Sequence, residues 1–252
     1  MISKAKISQI RLLHQKKNRD TEGLFIVEGT KSFFELIHSK LFIVEIYATQ
    51  KWFDVYMNRT DNPIDIQFIS EKEMEKISCL NTPPEILAIV QIPVYFETSF
   101  NANKPVIVLD QIKDPGNLGT IIRTADWFGI NQIFCSSKCV EFTNPKVIQA
   151  TMGSFSRVKI VYGDILPFLK KESHRKSYGM FMEGTPIENI SFHSSDILII
   201  GSESHGISEE ISQLMTQKIH IPNYHNGINS AESLNASIAA GILLYQFSSK
   251  KS

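Results

Sequence analysis

The sequence predicts an α/β protein of two domains, a small α/β unit followed by a mainly parallel sheet with helices on both faces. Three observations predict it. The chain has 252 residues, more than the ~100–200 of a usual single domain. Short strand-like and helix-like segments fill residues 1–91, whereas a longer β–α alternation with apolar, β-branched strands begins after Lys104, the pattern of a parallel sheet covered on both faces. Between them residues 92–104, IPVYFETSFNANK, carry no helical or strand period and read as a linker. The expected division is therefore 1–91, a linker at 92–104, and 105–252.

The elements follow in order. Residues 4–17 set Ile7, Ile10 and Leu13 at helical spacing among Lys and Gln, and LFIVEG (24–29) is a short buried strand. SFFELI (32–37) is helical with Thr30 as its expected N-cap. IVEIYA (43–48), IQFI (66–69) and ILAIV (86–90) are strands, and Ser70 opens the helix EKEMEKI (71–77). In the second domain VIVLD (106–110) is a strand, followed by the loop QIKDPGNLG and a helix from about Thr120 to Phe128. NQIFCS (131–136) is the next strand, NPKVIQATM opens a helix, and VKIV (158–161) is extended. DILPFLKK then gives a helix, SYGMFME and DILIIGSE give two strands, and AESLNASIAAGILLYQF (231–247) is a final helix dense in small residues.

Composition narrows the function. With 42% hydrophobic and 21% charged residues the chain has material for packed cores and is not a disordered segment. No apolar run approaches the ~18 residues of a membrane span. The first twenty residues lack the apolar block of a secretory signal, so the expected location is the cytoplasm. Cys79, Cys135 and Cys139 are too few and too oddly numbered for a disulfide framework and read as reduced core thiols. Net charge is zero, but residues 1–20 carry Lys4, Lys6, Arg11, Lys16, Lys17 and Arg19 against Asp20 alone. This basic arm is either a solvated helix face or a nucleic-acid contact.

Ligands of such sheets bind at loops leaving the carboxyl ends of the strands. Three loops of that kind are unusual: DPGNLGTIIRTA (114–125), IIGSESHGIS (199–208) and IPNYHNGINSAESLNAS (221–237). Singly, each reads equally well as a turn or a helix cap. Common motifs are excluded. GNLGT lacks the lysine of a phosphate-binding Walker loop and the third glycine of a dinucleotide fingerprint, and Ser202 stands where a Gly-x-Ser-x-Gly elbow needs glycine. His220 and His225 lie five apart and no cysteine pair has zinc spacing, so no metal is expected.

DPGNLGTIIRTADWFGI, LIIGSESHGIS and IPNYHNGINSAESLNASIAAGILLYQF closely resemble, in order, the three motifs of the SpoU (TrmH-like) family of RNA ribose 2′-O-methyltransferases, within the SPOUT superfamily. NPKVIQATMGSF (144–155) resembles the segment between the family's first and second motifs. KKNRDTEGLFIVEG, ISEKEMEKIS and PPEILAIV are similar to its substrate-binding domain, so the resemblance covers nearly the whole chain. It implies a C-terminal trefoil-knot methyltransferase domain behind a small, ribosomal-protein-like RNA-binding domain, a homodimer, and S-adenosyl-L-methionine as cofactor. Carried over by position, Gly201, Ile221, Ser230, Leu234 and Asn235 would hold the cofactor. Arg123, Asn117, Glu203, Ser233 and Asn235 would serve catalysis and substrate positioning. The implied substrate is ribosomal RNA, with transfer RNA as the nearer alternative. A non-catalytic RNA-binding protein on the same scaffold is the other, which the presence of all five polar residues disfavours.

The residue types suit that chemistry. Methylating a ribose hydroxyl requires two atoms held in line ~3–3.5 Å apart and an oxygen stabilised as it turns negative. Asn117 and Asn235 carry paired donors and acceptors that lock loops, and Glu203 can orient Arg123 or bind a hydroxyl. With an RNA substrate, the basic arm is better read as facing phosphates.

Overall fold

The computed structural model describes residues 1–56, 65–95, 100–225 and 232–250. Ser230 and part of the linker, residues 96–99, lie outside them. The chain forms two compact units, Met1–Val94 with Thr143–Ser156, and Tyr95–Phe142 with Arg157–Ser252. The predicted division is contiguous; the observed one assigns residues 143–156, from the middle of the second half, to the first unit.

In the first unit the single helix predicted over 4–17 is broken. Helix α1 is Lys4–Leu12 and α2 is Lys16–Glu22. Between them Leu13, His14 and Gln15 donate to carbonyls three residues back at 3.0–3.1 Å, a tight turn that buries both Ile10 and Leu13. Arg19, 1% exposed, donates through Nη1 to the Leu13 and His14 carbonyls, both at 2.9 Å, so the break is satisfied by a side chain from the following helix. Strand β1 (Leu24–Glu28) leads through Gly29, at φ +92°, into α3 (Thr30–Ile37). Thr30 is thus the first helical residue and not the cap. Its Oγ1 instead accepts from Trp52 Nε1 at 2.9 Å, anchoring α4 (Gln50–Tyr56), a helix the sequence pattern did not announce.

Strands β2 (Ile43–Ala48), β3 (Gln67–Phe68) and β4 (Ile86–Gln91) complete a sheet of order β1-β4-β2-β3, antiparallel except for β2 with β3. Helix α5 (Glu71–Ile77) has the full reciprocal cap expected of Ser70, with Ser70 and Glu73 exchanging bonds. Ile10, Leu13, Tyr47, Met74 and Leu87 share the core. The inserted segment joins this unit by ordinary packing. Gln149 Nε2 donates to the Glu28 carbonyl at 3.2 Å, and Phe155 meets the edge of Phe25 with centroids 6.1 Å apart.

The second unit is a six-stranded sheet, parallel throughout, of order β10-β8-β9-β5-β6-β7. Its strands are β5 (Val106–Asp110), β6 (Gln132–Ser136), β7 (Lys159–Gly163), β8 (Ser177–Pro186), β9 (Ile197–Gly201) and β10 (Gln217–His220), so their carboxyl ends share one edge. Helices α6 (Pro115–Trp127), α7 (Pro145–Thr151), α8 (Ile165–Lys171), α9 (Glu209–Ser212) and α10 (Ala236–Lys250) alternate with them; α7 is the one that packs in the first unit. Val106, Val108, Phe134, Phe168, Ile197 and Ile199 lie in one apolar cluster, with Phe134 and Phe168 stacked at 4.4 Å. Strand β10 escaped the sequence reading, because QKIH is four residues long and buries Ile219 alone.

Two helix starts differ from expectation for the same reason, a side-chain cap. Helix α6 begins at Pro115, five residues before the predicted Thr120. Asp114 Oδ1 accepts from the Asn117 amide at 2.8 Å, and proline at the first position supplies a helical φ without wasting a donor. The GNLG residues are its first turn and not a loop. Helix α10 begins at Ala236, not 231, where Asn235 Oδ1 accepts from the Ser237 amide at 2.9 Å and from its hydroxyl at 2.6 Å.

Candidate active site

The carboxyl edge of the parallel sheet gathers the loops after β5, β9 and β10. Its centre is Glu203, in the turn after β9. One carboxylate oxygen, Oε1, accepts from Asn117 Nδ2 in the first turn of α6. It also accepts from Asn235 Nδ2 at 3.4 Å and from the Ala236 amide at 3.1 Å, at the start of α10. Asn235 Nδ2 donates as well to Asn117 Oδ1 at 2.9 Å. Two segments lying 86 and 32 residues from Glu203 in sequence therefore meet at its carboxylate. The charge suits its place, since an anion at a helix N-terminus meets free amides and the positive end of the helix dipole.

The glutamate is held by a closed turn. Gly206, at φ +64°, donates to the Ser202 carbonyl at 2.8 Å, and the two residues form an isolated bridge. A Cβ on Gly201 would stand 2.1 Å from the Gly206 carbonyl carbon, so glycine at 201 is required by the turn's own closure. From below, Asp110, 3% exposed at the end of β5, accepts from the Ser208 amide at 3.1 Å. Across the edge, Gln111 adopts φ +58° and its amide donates to Ser136 Oγ at 3.0 Å.

Of the residues predicted from sequence, the structure brings together Asn117, Glu203 and Asn235. Gly201 and Ile221 leave the same sheet edge, and Leu234, 46% exposed, precedes Asn235. Arg123 and Ser233 do not join the cluster. Both are exposed, and Arg123 lies in the third turn of α6 on the stripe that carries Thr120 and the 85% exposed Trp127. Ser230 lies outside the described residues. Asp110, Asp114 and the Ala236 amide were missed. Asp114 was legible as the cap of an Asp-Pro helix start; nothing marks Asp110 beyond ending an apolar strand.

The edge suits a ligand that is partly apolar and partly polar. Leu234 leaves an aliphatic side chain uncovered, and His220 Nδ1, next to Ile221, is buried without a hydrogen-bond partner among the described residues. Among the described residues no group of three or more His, Cys, Asp or Glu is placed to hold a metal ion, and no helix is long and apolar enough to cross a membrane.

Comparison with known proteins agrees with this geometry. The family model for the SpoU rRNA methylases matches residues 104–245, and that for the MRM3-like substrate-binding domain matches residues 4–88. The chain is 28% identical to the 23S rRNA (guanosine(2553)-2′-O)-methyltransferase RlmP of Bacillus subtilis, covering 95% of this chain and 94% of that one. A solved TrmH-family protein from Porphyromonas gingivalis superposes with a TM-score of 0.86 at 30% identity over 98% of each chain. An AdoMet-bound rRNA methyltransferase from Sinorhizobium meliloti shares the fold, with a TM-score of 0.85 at 24% identity over 98% of this chain and 95% of that one. Motifs, fold and relatives converge, and the chain belongs to the SpoU rRNA methylase family as an S-adenosylmethionine-dependent RNA 2′-O-ribose methyltransferase with an N-terminal substrate-binding domain.

Proposed function

We propose that the substrate is ribosomal RNA, that the protein works as a cytoplasmic homodimer, and that the residues named from sequence carry the reaction. The observation that supports the roles is the meeting of Asn117, Glu203 and Asn235 at one carboxylate on the sheet edge. S-adenosylmethionine supplies an electrophilic methyl group. The chain must place a ribose hydroxyl in line with it and stabilise that oxygen as its proton leaves. Glu203 locks the loops after β5 and β9 to the start of α10. Gly201, Ile221, Leu234 and Asn235 hold the cofactor, Ser230 is assigned to it by its motif position alone, and the motifs imply a trefoil knot at this site.

Arg123 is the cation of the reaction. A guanidinium with a pKa of about 12.5–13.8 stays charged, so it pins an RNA phosphate and stabilises the developing alkoxide without losing a proton itself. Ser233 orients the ribose. Helices α6 and α10 pack together and leave Trp127, Ile238 and Tyr245 exposed at 85%, 54% and 63%. This uncovered apolar face supports the homodimer, and in such a dimer Arg123 would lie beside the seam, four residues from Trp127 on one helix face.

The ribosomal assignment draws on the B. subtilis relative, which matches along nearly its whole length. The test is methyl transfer by purified protein to ribosomal RNA and to transfer RNA lacking the modification, followed by mapping of 2′-O-methyl positions. Methyl on a ribosomal ribose is expected; methylation of transfer RNA alone would overturn the assignment. Light scattering at micromolar concentration reads the dimer.

A further inference from the structure

The amino edge of the parallel sheet, opposite the site just described, carries charge that methyl transfer does not use. Helix α8 runs back from the carboxyl edge and ends in Lys170 and Lys171, and the chain enters β8 through Glu172, Ser173, His174, Arg175 and Lys176. Two strands away, Lys104 leads into β5. The strand register aligns these entries, because Ser177 and Val106 both pair with Ile197 of β9. The Ile197 amide donates to the Lys176 carbonyl at 2.9 Å, and the Val106 amide donates to the Asp196 carbonyl at 3.3 Å. At ~4.8 Å between neighbouring strands, the Lys176 and Lys104 backbones lie on the order of 10 Å apart.

One buried side chain fixes this edge. Arg175, 6% exposed, donates through Nε to the Ser195 carbonyl at 2.6 Å, through Nη2 to the Lys104 carbonyl at 2.7 Å and through Nη1 to the Glu172 carboxylate at 3.1 Å. The segments that meet there are thus held in place by hydrogen bonds. Their two acidic groups are engaged internally, Glu172 by Arg175 and the 2% exposed Asp196 by the His193 amide at 2.7 Å. Lys104, Lys170, Lys171 and Lys176 remain exposed, with no ion pair among the described residues. Lysines in the last turn of a helix suit its dipole, which accounts for Lys170 and Lys171 but not for Lys176 and Lys104, since those two lie outside any helix. Nor is the patch the background of this surface, because acidic residues outnumber basic ones after residue 20.

We propose that this amino edge is a second contact surface for the substrate RNA, on which Lys104, Lys170, Lys171 and Lys176 meet phosphates outside the nucleotide being methylated. An ammonium group meets a phosphate as a point charge and carries no base information. The surface therefore adds affinity and fixes the path of the RNA without choosing the base. Strands of five residues at ~3.3 Å each set the patch roughly 15 Å from the carboxyl edge. At that distance it meets RNA several nucleotides from the target ribose, where a polyanion has phosphates to offer. The inference rests on RNA being the substrate and is independent of which RNA it is.

The test acetylates the lysines of the full-length protein with an N-hydroxysuccinimide ester, alone, with deproteinised ribosomal RNA and with transfer RNA, both RNAs lacking the modification, and maps the peptides. The RNA that accepts methyl should protect Lys104, Lys170, Lys171 and Lys176. A variant with all four replaced by glutamine should keep the melting temperature and the affinity for S-adenosylmethionine. Its plot of log RNA affinity against log salt should be flatter by up to about 3, at ~0.7–0.9 per phosphate contact. Its KM for RNA should rise while kcat at saturating RNA holds, because a contact made equally in ground and transition states leaves the chemical step alone. The proposal is overturned if bound RNA protects other lysines and leaves these four as reactive as before, or if the variant's salt slope is unchanged. Protection by whole ribosomal particles but by neither purified RNA would overturn it in favour of a protein contact. Protection by transfer RNA alone would support the surface and overturn the ribosomal assignment. If a binding titration finds that the unsubstituted protein holds neither RNA, the RNA reading itself falls, and the proposal with it.

Discussion

The sheet edge and the basic arm were both singled out by sequence, yet the structure treats them oppositely. At the edge, Asn117, Glu203 and Asn235 come from three distant segments, and their polar groups are directed at one another. In the arm, much of the charge is used where it stands. Lys6 pairs with Glu45 at 2.5 Å, Lys16 pairs with Asp20 at 2.5 Å, and Arg19 is buried holding two carbonyls. Lys4, Arg11 and Lys17 are left exposed, with no ion pair among the described residues. A motif names residues by type and position, and those survive folding. A count of charges does not, because ordinary packing uses some of them.

The comparison breaks most sharply at Arg123, which belongs to the same motif but stands outside the Glu203 cluster. Arg123→Ala should lower the single-turnover methylation rate by about 10²–10³-fold, the scale of losing a charge-stabilising donor. It should leave cofactor affinity and melting temperature nearly unchanged, since an exposed side chain with no hydrogen bond or ion pair among the described residues contributes little to stability. Arg123→Lys keeps the charge and loses the fork, and should also be severely impaired. A melting temperature several degrees lower with a near-normal rate would make Arg123 a structural residue and return the edge to Glu203 alone.

Next in size is Glu203 itself. Glu203→Ala removes the acceptor shared by Asn117, Asn235 and the Ala236 amide and should cost roughly tenfold to a hundredfold in rate by letting the loops shift. Glu203→Gln keeps an acceptor oxygen and should retain most of the activity. If the two variants are equally inactive in methyl transfer to RNA, the negative charge meets a ligand and the hydrogen bonds to the loops are incidental.

What was legible in the sequence divides along the same line. The parallel sheet was readable from VIVLD and its fellow strands, because a strand buried on both faces has to be apolar throughout. Ser70 was readable as a cap, because its Glu73 partner lies three residues on. The early start of α6 was available in Asp114-Pro115 but hidden by glycines that resemble a turn. Strand β10 was not readable, since its pairing with β8 is set by a partner about forty residues away and not by a pattern of its own. The assignment of residues 143–156 to the first unit also has no local signature, because Phe155 against Phe25 is a fact of tertiary packing. The site residues came from the motifs; their convergence on one oxygen of Glu203 came from the fold.

The smallest expected effect lies in the arm, and it tests whether charge counting or structure predicts RNA contact. The Lys4, Arg11 and Lys17 side chains are free to meet phosphates, whereas Lys6 and Lys16 already face carboxylates. Each phosphate contact contributes about −0.7 to −0.9 to the slope of log affinity against log salt. Replacing Lys4, Arg11 and Lys17 together by alanine should therefore flatten that slope by up to about 2–3, and should weaken RNA binding across sequences without altering which ribose is methylated. Replacing Lys6 and Lys16 should change the slope by well under 1, because their charges are already paired with Glu45 and Asp20. Binding titrations between about 50 and 200 mM salt span the range in which such contacts are read. Equal slopes for the two variants would mean that the whole arm acts as diffuse charge. An unchanged slope for the first would return Lys4, Arg11 and Lys17 to a solvated helix face.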